Sequence, residues 1–217
     1  MARQLPLPLH TAPALGRADF IVGPGNAQAV TFIDSHPDWA APAAALYGPA
    51  GSGKSHLVHA WAQASGASVL EAASLGFQAP SDRPLAIENV DAGTVDEAAL
   101  FALFQHGRPL LLTGREPPSG WPTALPDLKS RFAALLAFPL WAPDDALLSA
   151  LARKLFTDRQ LTVPDAVILR MLRSIERTPG AVRDFVARAD ARALAEKRPV
   201  TAALVADLLA EQGDPLS

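Results

Sequence analysis

Short apolar runs alternate with longer amphipathic segments up to about residue 140. The apolar runs are typical of buried β-strands, and apolar residues that recur every three or four positions predict helices. The predicted strands lie near 43–47, 67–71, 84–88, 109–113 and 135–140. The predicted helices lie near 26–36, 53–65, 94–106 and 125–134. Strands and helices in alternation are typical of an α/β protein with a parallel sheet.

The pattern changes after the Trp-Ala-Pro-Asp stretch at 141–144, where strand-like runs stop. The helical patterns that follow lie near 144–159, 165–176, 179–196 and 201–211. Proline can start or end a helix but is not tolerated in its middle, and it marks most joints of the chain: Pro109, Pro143, Pro164, Pro179 and Pro199. The sequence therefore predicts a tail at 1–14, an α/β core at 15–141 and a small all-helical domain at 142–217.

Composition narrows the class of protein. The chain has 217 residues, of which 49% are hydrophobic and 19% charged, as expected for a globular protein with a sizeable core. It has no cysteine, so disulfides and thiolate metal sites are excluded, and its five histidines show no metal-ligand spacing. A net charge of −3 argues against strong nucleic-acid binding. Without a signal peptide or a membrane-spanning run, we expect a cytoplasmic protein with no membrane partner.

A complete phosphate-binding loop follows the first predicted strand and opens a helix. Its glycines let backbone N–H groups surround a β-phosphate, its lysine reaches the β- and γ-phosphates, and its last serine can ligate Mg²⁺. A chance match in a loop is the alternative, but the order strand, loop, helix favours a nucleotide site. The candidate residues are Gly48, Pro49, Ala50, Gly51, Ser52, Gly53, Lys54 and Ser55, with His56 directly after them.

A second candidate motif ends the third predicted strand, where Glu88 and Asn89 occupy the Walker-B position. P-loop ATPases usually place an Asp there for the Mg²⁺ shell, followed by an acid that orients or deprotonates the attacking water. Glu88 can still reach magnesium, and Asn89 can orient a water but cannot accept its proton. We therefore expect nucleotide binding with weak or no intrinsic hydrolysis. The alternative is that both are simply polar residues at a strand end.

Two arginines complete the candidate site. Arg131 precedes the last predicted strand, and Arg183 lies near the start of a helix in the second domain. The planar, permanently charged guanidinium suits contact with phosphate oxygens. Because most arginines are solvated or salt-bridged, their spacing alone leaves both assignments open.

Together these features resemble the AAA+ module of the DnaA/Hda family of replication proteins. The resemblance rests on the phosphate loop, the Thr-Gly-x-x-Pro-Pro segment at 113–118, the Leu-Lys-Ser-Arg-Phe box at 128–132 and the Val-Arg box at 182–183. It spans residues 15 to 212 and implies an AAA+ core followed by a helical lid, with Arg183 on the phosphates. The segment 19–26 resembles the one that packs against adenine, which implies Ile21 and Val22 as adenine contacts.

The same resemblance implies cofactors and partners. ADP or ATP with Mg²⁺ is the expected ligand, and Ser55, Glu88 and Asn89 are the expected magnesium-associated residues. The chain stops where the initiator would continue into its helix-turn-helix domain, so no sequence-specific DNA binding is expected. The short regulators of this family inactivate DnaA, and in them the arginine of the 128–132 box would enter the ATP site of DnaA in trans.

The N-terminal tail resembles the peptide by which proteins dock on the sliding clamp of DNA polymerase, its β subunit. Two prolines hold such a backbone extended, so little conformational entropy is lost on binding, and alternate leucines can fill an apolar pocket. A proline-rich disordered tail is the alternative. The residues that carry this resemblance are Gln4, Leu5, Pro6, Leu7, Pro8 and Leu9.

One departure from the family bears on hydrolysis. Arg115 stands where an Asp is usual in the sensor-1 position, so the charge facing the γ-phosphate is reversed. The sequence thus favours a regulator that docks on the clamp and acts on DnaA through Arg131. Two alternatives stay open: a self-sufficient AAA+ ATPase of the helicase-loader type, and a nucleotide-gated adaptor on the clamp with no hydrolytic role.

Overall fold

The structure, a computed structural model, describes residues 15–76, 83–93 and 95–212. These residues form two compact units, which meet in the chain between Ala142 and Pro143. The predicted clamp-binding residues 4–9 lie outside the described residues.

The first unit is built on a sheet of five strands. All paired strands are parallel, and their order is β2-β3-β4-β1-β5. The strands are β1 (Ala43–Tyr47), β2 (Ser68–Glu71), β3 (Leu85–Glu88), β4 (Leu110–Gly114) and β5 (Leu136–Pro139). The helices of this unit are α1 (Ala27–Asp34), α2 (Lys54–Ser65), α3 (Glu97–Gln105) and α4 (Pro126–Ala133). The predicted α/β fold class with a parallel sheet is therefore confirmed.

Both faces of the sheet are covered, because successive side chains of a strand point to opposite sides. In β1, Leu46 packs with Val58 and Trp61 of α2. On the other face, Ile87 and Leu112 pack in one cluster with residues of α3 and α4. A parallel sheet buried in this way has its polar functional groups at the ends of its strands. We call the side where the strands end the carboxyl edge, and the side where they begin the amino edge.

A carboxylate on α3 fixes the start of α4. Glu97 accepts hydrogen bonds from the backbone N–H groups of Ala124 at 2.9 Å and Leu125 at 3.0 Å, and from the Thr123 hydroxyl at 3.0 Å. These donors, Ala124 first, lower the pKa of Glu97. The entry of the chain into α4 is thus anchored to the neighbouring helix.

The second unit consists of helices alone within the residues described. They are α5 (Asp145–Asp158), α6 (Asp165–Leu172), α7 (Pro179–Glu196) and α8 (Ala202–Gln212). Helix α5 packs against α6 and α7, and α8 packs against the same two helices. The predicted helix 165–176 ends four residues early, at Leu172. The residue before a proline avoids helical geometry, and here Thr178 instead caps α7 by accepting a hydrogen bond from the N–H of Ala181 at 3.2 Å.

Candidate functional site

The phosphate loop joins β1 to α2 at the carboxyl edge, and two of its glycines are required by close contacts. A Cβ on Gly48 would lie 2.0 Å from the carbonyl oxygen of Leu140, and Gly48 has a φ of +148°. A Cβ on Gly53 would lie 3.1 Å from the Phe20 ring, at a φ of +102°. The backbone therefore makes a tight cradle that only glycine permits at these positions.

Lys54 is the first residue of α2 and lies with only 9% of its surface exposed. Its Nζ donates hydrogen bonds to the carbonyl oxygens of Gly48 at 2.7 Å and Pro49 at 2.9 Å. Burial lowers the pKa of Lys54; the charges of Asp91 and Glu88 oppose this shift, whereas Arg115 adds to it. The ammonium is thus held over the loop, where added negative charge would be stabilised.

Two polar groups at this edge lack partners. The Ser52 hydroxyl is buried in the loop and has no hydrogen-bond partner. Glu88 is 7% exposed at the end of β3, and its carboxylate forms no hydrogen bond or ion pair with the residues the structure describes. Buried polar groups are normally satisfied, so the cradle, the hydroxyl and the carboxylate together fit a phosphate-bearing ligand and its cation. Ser55 is exposed at the start of α2, within the same loop region.

The amide of Asn89 is already engaged. Its side chain donates a hydrogen bond to Oε2 of Glu71 on β2 at 2.9 Å, and its backbone N–H donates to the Thr113 hydroxyl at 3.1 Å. Asn89 has a left-handed φ of 60°, a conformation that asparagine tolerates well. The predicted water-orienting group is therefore tied to the neighbouring strand.

Asp91 belongs to the site, although sequence reasoning missed it. Its Oδ2 accepts the backbone N–H groups of Arg115 at 2.5 Å and Glu116 at 3.1 Å, which fixes the loop after β4. Among the charged groups that shift the pKa of Lys54, Asp91 has the largest effect. The only feature of the sequence that could have identified Asp91 is its place three residues after Glu88.

The segment predicted to contact adenine lies beside the loop. Asn26 closes a turn by accepting the Gly23 N–H at 2.9 Å and by donating to the Ile21 carbonyl at 3.0 Å. Val22 is 48% exposed. His56, by contrast, is buried, and its Nε2 lies 3.0 Å from the Gly16 carbonyl oxygen.

An exposed indole adjoins this segment and was not predicted. Trp141 follows β5, and its backbone N–H donates to the Gly25 carbonyl at 3.1 Å. Its side chain covers Gly25, where a Cβ would lie 3.2 Å from that of Trp141, yet 60% of the residue stays exposed. A residue that leaves a parallel strand at the carboxyl edge lies near any ligand of that edge, which is the signal that could have identified it.

The two predicted arginines lie on α4 and α7. Arg131 is exposed in the last turn of α4, just before β5, so it lies at the amino edge, away from the phosphate loop. Its guanidinium forms no hydrogen bond or ion pair with any residue in the described ranges. Arg183 lies half-buried on α7 in the second unit, and its contact with phosphates stays a prediction.

Two absences within the described residues concern metal ions and membranes. The described ranges contain no group of three or more histidine or acidic residues that could hold a metal ion. None of the helices described is both long and apolar enough to cross a membrane.

Comparison with known proteins identifies the fold. No protein-family model and no curated protein sequence matches the chain. Domain III of DnaA from Thermotoga maritima superimposes with a TM-score of 0.74 at 18% identity, over 92% of this chain and 97% of that one. AMPPCP-bound DnaA from Aquifex aeolicus gives 0.68 at 18%, over 81% and 65%. A RuvB variant from Thermotoga maritima gives 0.68 at 17%, over 89% and 71%. The fold is that of the DnaA and RuvB AAA+ domains.

Replacing Asp91 should loosen the site and change the titration of Lys54. Asp91→Ala removes the acceptor of two backbone N–H groups, so we expect a loss of about 1–3 kcal/mol in the free energy of unfolding, measured by urea denaturation. Asp91→Asn keeps an acceptor but removes the charge that favours the ammonium, so the pKa of Lys54 should fall further. NMR titration of the Lys54 side chain measures this shift.

The sign of the pH effect follows from the lowered pKa. The cost of burying the Lys54 ammonium is present below its folded pKa and disappears as the pH rises to the value of the unfolded chain. In Asp91→Asn the pH range over which this cost disappears should begin at a lower pH. Asp127→Asn, an exposed acid on α4, is the control and should leave Lys54 unchanged. An identical Lys54 titration in both variants would contradict the assignment of Asp91.

Proposed function

We propose that this chain is a regulator of replication initiation similar to Hda. It binds an adenine nucleotide with Mg²⁺, docks on the β subunit of the DNA polymerase sliding clamp, and promotes hydrolysis of the ATP held by DnaA. The observation that carries the proposal is Arg131, which is exposed at the amino edge, opposite the chain's own phosphate loop, and whose guanidinium has no partner among the described residues. The DnaA-like fold supports the choice of partner, because AAA+ domains of one type assemble through related surfaces.

The nucleotide proposal rests on the carboxyl edge. The glycine cradle at Gly48, the buried Ser52 hydroxyl and the unpartnered Glu88 carboxylate offer donors, space and a cation ligand in one place. The similar DnaA from Aquifex aeolicus is described as bound to AMPPCP. Mg²⁺ prefers a few carboxylate or hydroxyl ligands together with nucleotide oxygens, and Glu88 and Ser55 are the residues for that role.

The same edge is poorly equipped to hydrolyse its own nucleotide. Hydrolysis needs a group that orients or deprotonates water, whereas the Asn89 amide is bonded to Glu71 and Oδ2 of Asp91 is occupied by two N–H groups. The positive charge of Arg115 stands where the family places an acid. These features favour a retained ligand over a turned-over substrate, and they disfavour a self-sufficient ATPase.

Arg131 is suited to act on a neighbour. In ATP hydrolysis a water oxygen bonds to the γ-phosphorus while the bond to the β,γ-bridging oxygen breaks, giving ADP and inorganic phosphate. Negative charge spreads over the γ-phosphoryl oxygens in the transition state, and a guanidinium supplied in trans stabilises it. Arg131 has no internal partner to give up within the described residues, so no ion pair must break when it enters another protein's site.

Removing the lysine tests the nucleotide site. In Lys54→Ala the phosphates lose the point charge over the loop, so calorimetry should detect no binding of ATP or ADP. The variant also loses the two hydrogen bonds to Gly48 and Pro49, so its folding is checked first by circular dichroism. Lys129→Ala, an exposed lysine on α4, should bind like the unaltered protein. Equal affinity in Lys54→Ala and the unaltered chain would refute the phosphate-loop assignment.

Removing residues 4–9 tests the clamp. Burial of two leucines is worth on the order of 3–6 kcal/mol before ordering costs, so the deletion, or Leu7→Ala with Leu9→Ala, should reduce clamp binding below detection by surface plasmon resonance. Nucleotide affinity should not change, and Thr11→Ala should bind the clamp normally. If the deletion variant binds the clamp as tightly as the unaltered chain, residues 4–9 are not the clamp-binding segment.

Replacing Arg131 tests the chemistry. Arg131→Ala should fold, retain nucleotide and bind the clamp, but its stimulation of DnaA ATP hydrolysis should fall by about 10³–10⁵-fold if the stimulation in trans is as large as that of other arginine fingers. Arg131→Lys should rescue poorly, because a point charge does not reproduce the planar fork. Hydrolysis is followed as release of phosphate from DnaA preloaded with ATP, on clamp-loaded DNA.

The same assay separates the alternatives. A nucleotide-gated adaptor binds the clamp but leaves DnaA hydrolysis unchanged, and a self-sufficient ATPase releases phosphate without DnaA. If a well-folded Arg131→Ala stimulates DnaA fully, the proposed mechanism is wrong.

A further inference from the structure

Trp141 differs from the other three tryptophans of the chain. Trp61 and Trp121 are buried, Trp39 is half-buried, and the ring of each packs against another aromatic ring. Trp141 is 60% exposed, and its indole forms no hydrogen bond and no aromatic contact with another described residue. A single exposed apolar side chain is ordinary on a protein surface, so only its place in the fold can indicate a function.

The backbone places Trp141 next to the phosphate loop. The N–H of Leu140 donates to the Tyr47 carbonyl at 2.7 Å, so the chain is still paired with the end of β1 at that residue. The carbonyl carbon of Leu140 lies 3.0 Å from the point where a Cβ of Gly48 would stand. The Cα of Trp141 is two covalent bonds further on, so it lies within about 6 Å of that point. A ligand held by the loop therefore has the indole close by.

The 19–26 segment connects the indole with the other end of the loop. Near the start of the segment the Phe20 ring lies against Gly53, where a Cβ would be 3.1 Å from the ring. Near its end, the Gly25 carbonyl accepts the backbone N–H of Trp141 at 3.1 Å. A ligand that extends from the phosphate loop along this segment therefore reaches the indole.

Glycine at position 25 determines how the indole is supported. A Cβ on Gly25 would lie 3.7 Å from Cδ1 and 3.9 Å from Cγ of Trp141, so this part of the ring rests on the backbone of the segment. The rest of the side chain is open to solvent. An aromatic ring that is supported on one part and open elsewhere can stack on a planar group, and every nucleobase offers a π-face for this contact.

We infer that Trp141 is the base-stacking residue of the nucleotide site, and that its indole stacks on the purine of the nucleotide whose phosphates occupy the loop. This inference rests on the proposed function, because it assigns the base end of the nucleotide site proposed above. The phosphates are then held by backbone N–H groups and the charge of Lys54, and the base is held by a ring. A purine offers a larger surface for stacking than a pyrimidine, so the indole favours ADP over CDP.

Calorimetry of ADP and CDP binding, with Mg²⁺ present, measures the contribution of the ring. Trp141→Ala should weaken ADP binding by about 5–100-fold, the range expected for the loss of one base stacked on an aromatic side chain. The loss for CDP should be smaller. Trp141→Phe keeps a ring and should retain most of the ADP affinity, whereas Trp141→Leu is apolar without a ring and should behave like Trp141→Ala.

Two controls separate stacking from damage to the site. Inorganic pyrophosphate has no base, so it should bind equally well to the unaltered chain and to Trp141→Ala. Leu194→Ala removes a side chain that is even more exposed, at 71%, and should bind ADP like the unaltered chain. The thermal midpoint shows whether each variant is folded, and if Trp141→Ala does not fold, Trp141→Leu takes its place.

Fluorescence reports the contact directly. An exposed indole emits at longer wavelength than a buried one, and stacking on a base quenches the emission. ADP should therefore quench the long-wavelength emission of the unaltered chain, and pyrophosphate should not. In Trp141→Phe the remaining three tryptophans should show no such quenching.

Each outcome either supports or overturns the inference. If the unaltered chain binds ADP and a folded Trp141→Ala binds it as tightly, the inference is overturned and the proposed nucleotide site stands. The inference is also overturned if the affinities for ADP and pyrophosphate fall by the same factor, because Trp141 then supports the loop, or if Trp141→Leu binds ADP as tightly as Trp141→Phe. If the unaltered chain binds neither ADP nor ATP, the proposed nucleotide site fails, and the inference fails with it.

Discussion

The contact between the Leu140 carbonyl and the Cα of Gly48 sets the geometry of the carboxyl edge. A Cβ at position 48 would lie 2.0 Å from that oxygen, so no residue but glycine can occupy the position. The chain leaving β5 therefore lies against the first residue of the phosphate loop. The next residue, Trp141, is then close enough to bond the Gly25 carbonyl. Strand exit, phosphate loop and the 19–26 segment are therefore parts of one packed arrangement.

Local patterns predicted the elements of the fold because each element has its own periodicity. The loop at 48–55 was identified because its residues are adjacent in the chain and its backbone requirements appear directly as glycines. The helix containing Arg131 was identified in the same way. These features need no knowledge of which strands are neighbours, and so one sequence contains enough information to place them.

Features that depend on strand order were not predicted. Asn89 appeared able to orient water, but β2 lies beside β3 and brings Glu71 to its amide. Asp91 acts through backbone N–H groups at 115 and 116, a pairing that no periodicity encodes. Arg108 and Arg131 line one pocket because β1 lies between β4 and β5. Several arrangements of the same strands are compatible with the sequence pattern, and only the folded sheet selects one.

Trp121 connects the loop after β4, which Asp91 holds, with helix α4. Its Nε1–H donates to the Glu116 carbonyl at 2.7 Å, beside the loop that Asp91 holds, and its ring meets Phe132 edge-on at 5.1 Å, one residue from Arg131. Gly114 leaves no room for the indole to shift, since a Cβ there would lie 2.6 Å from Nε1. The indole is thus held from both sides, and it links the loop after β4 to the helix that carries Arg131, so a change in the position of one is transmitted to the other.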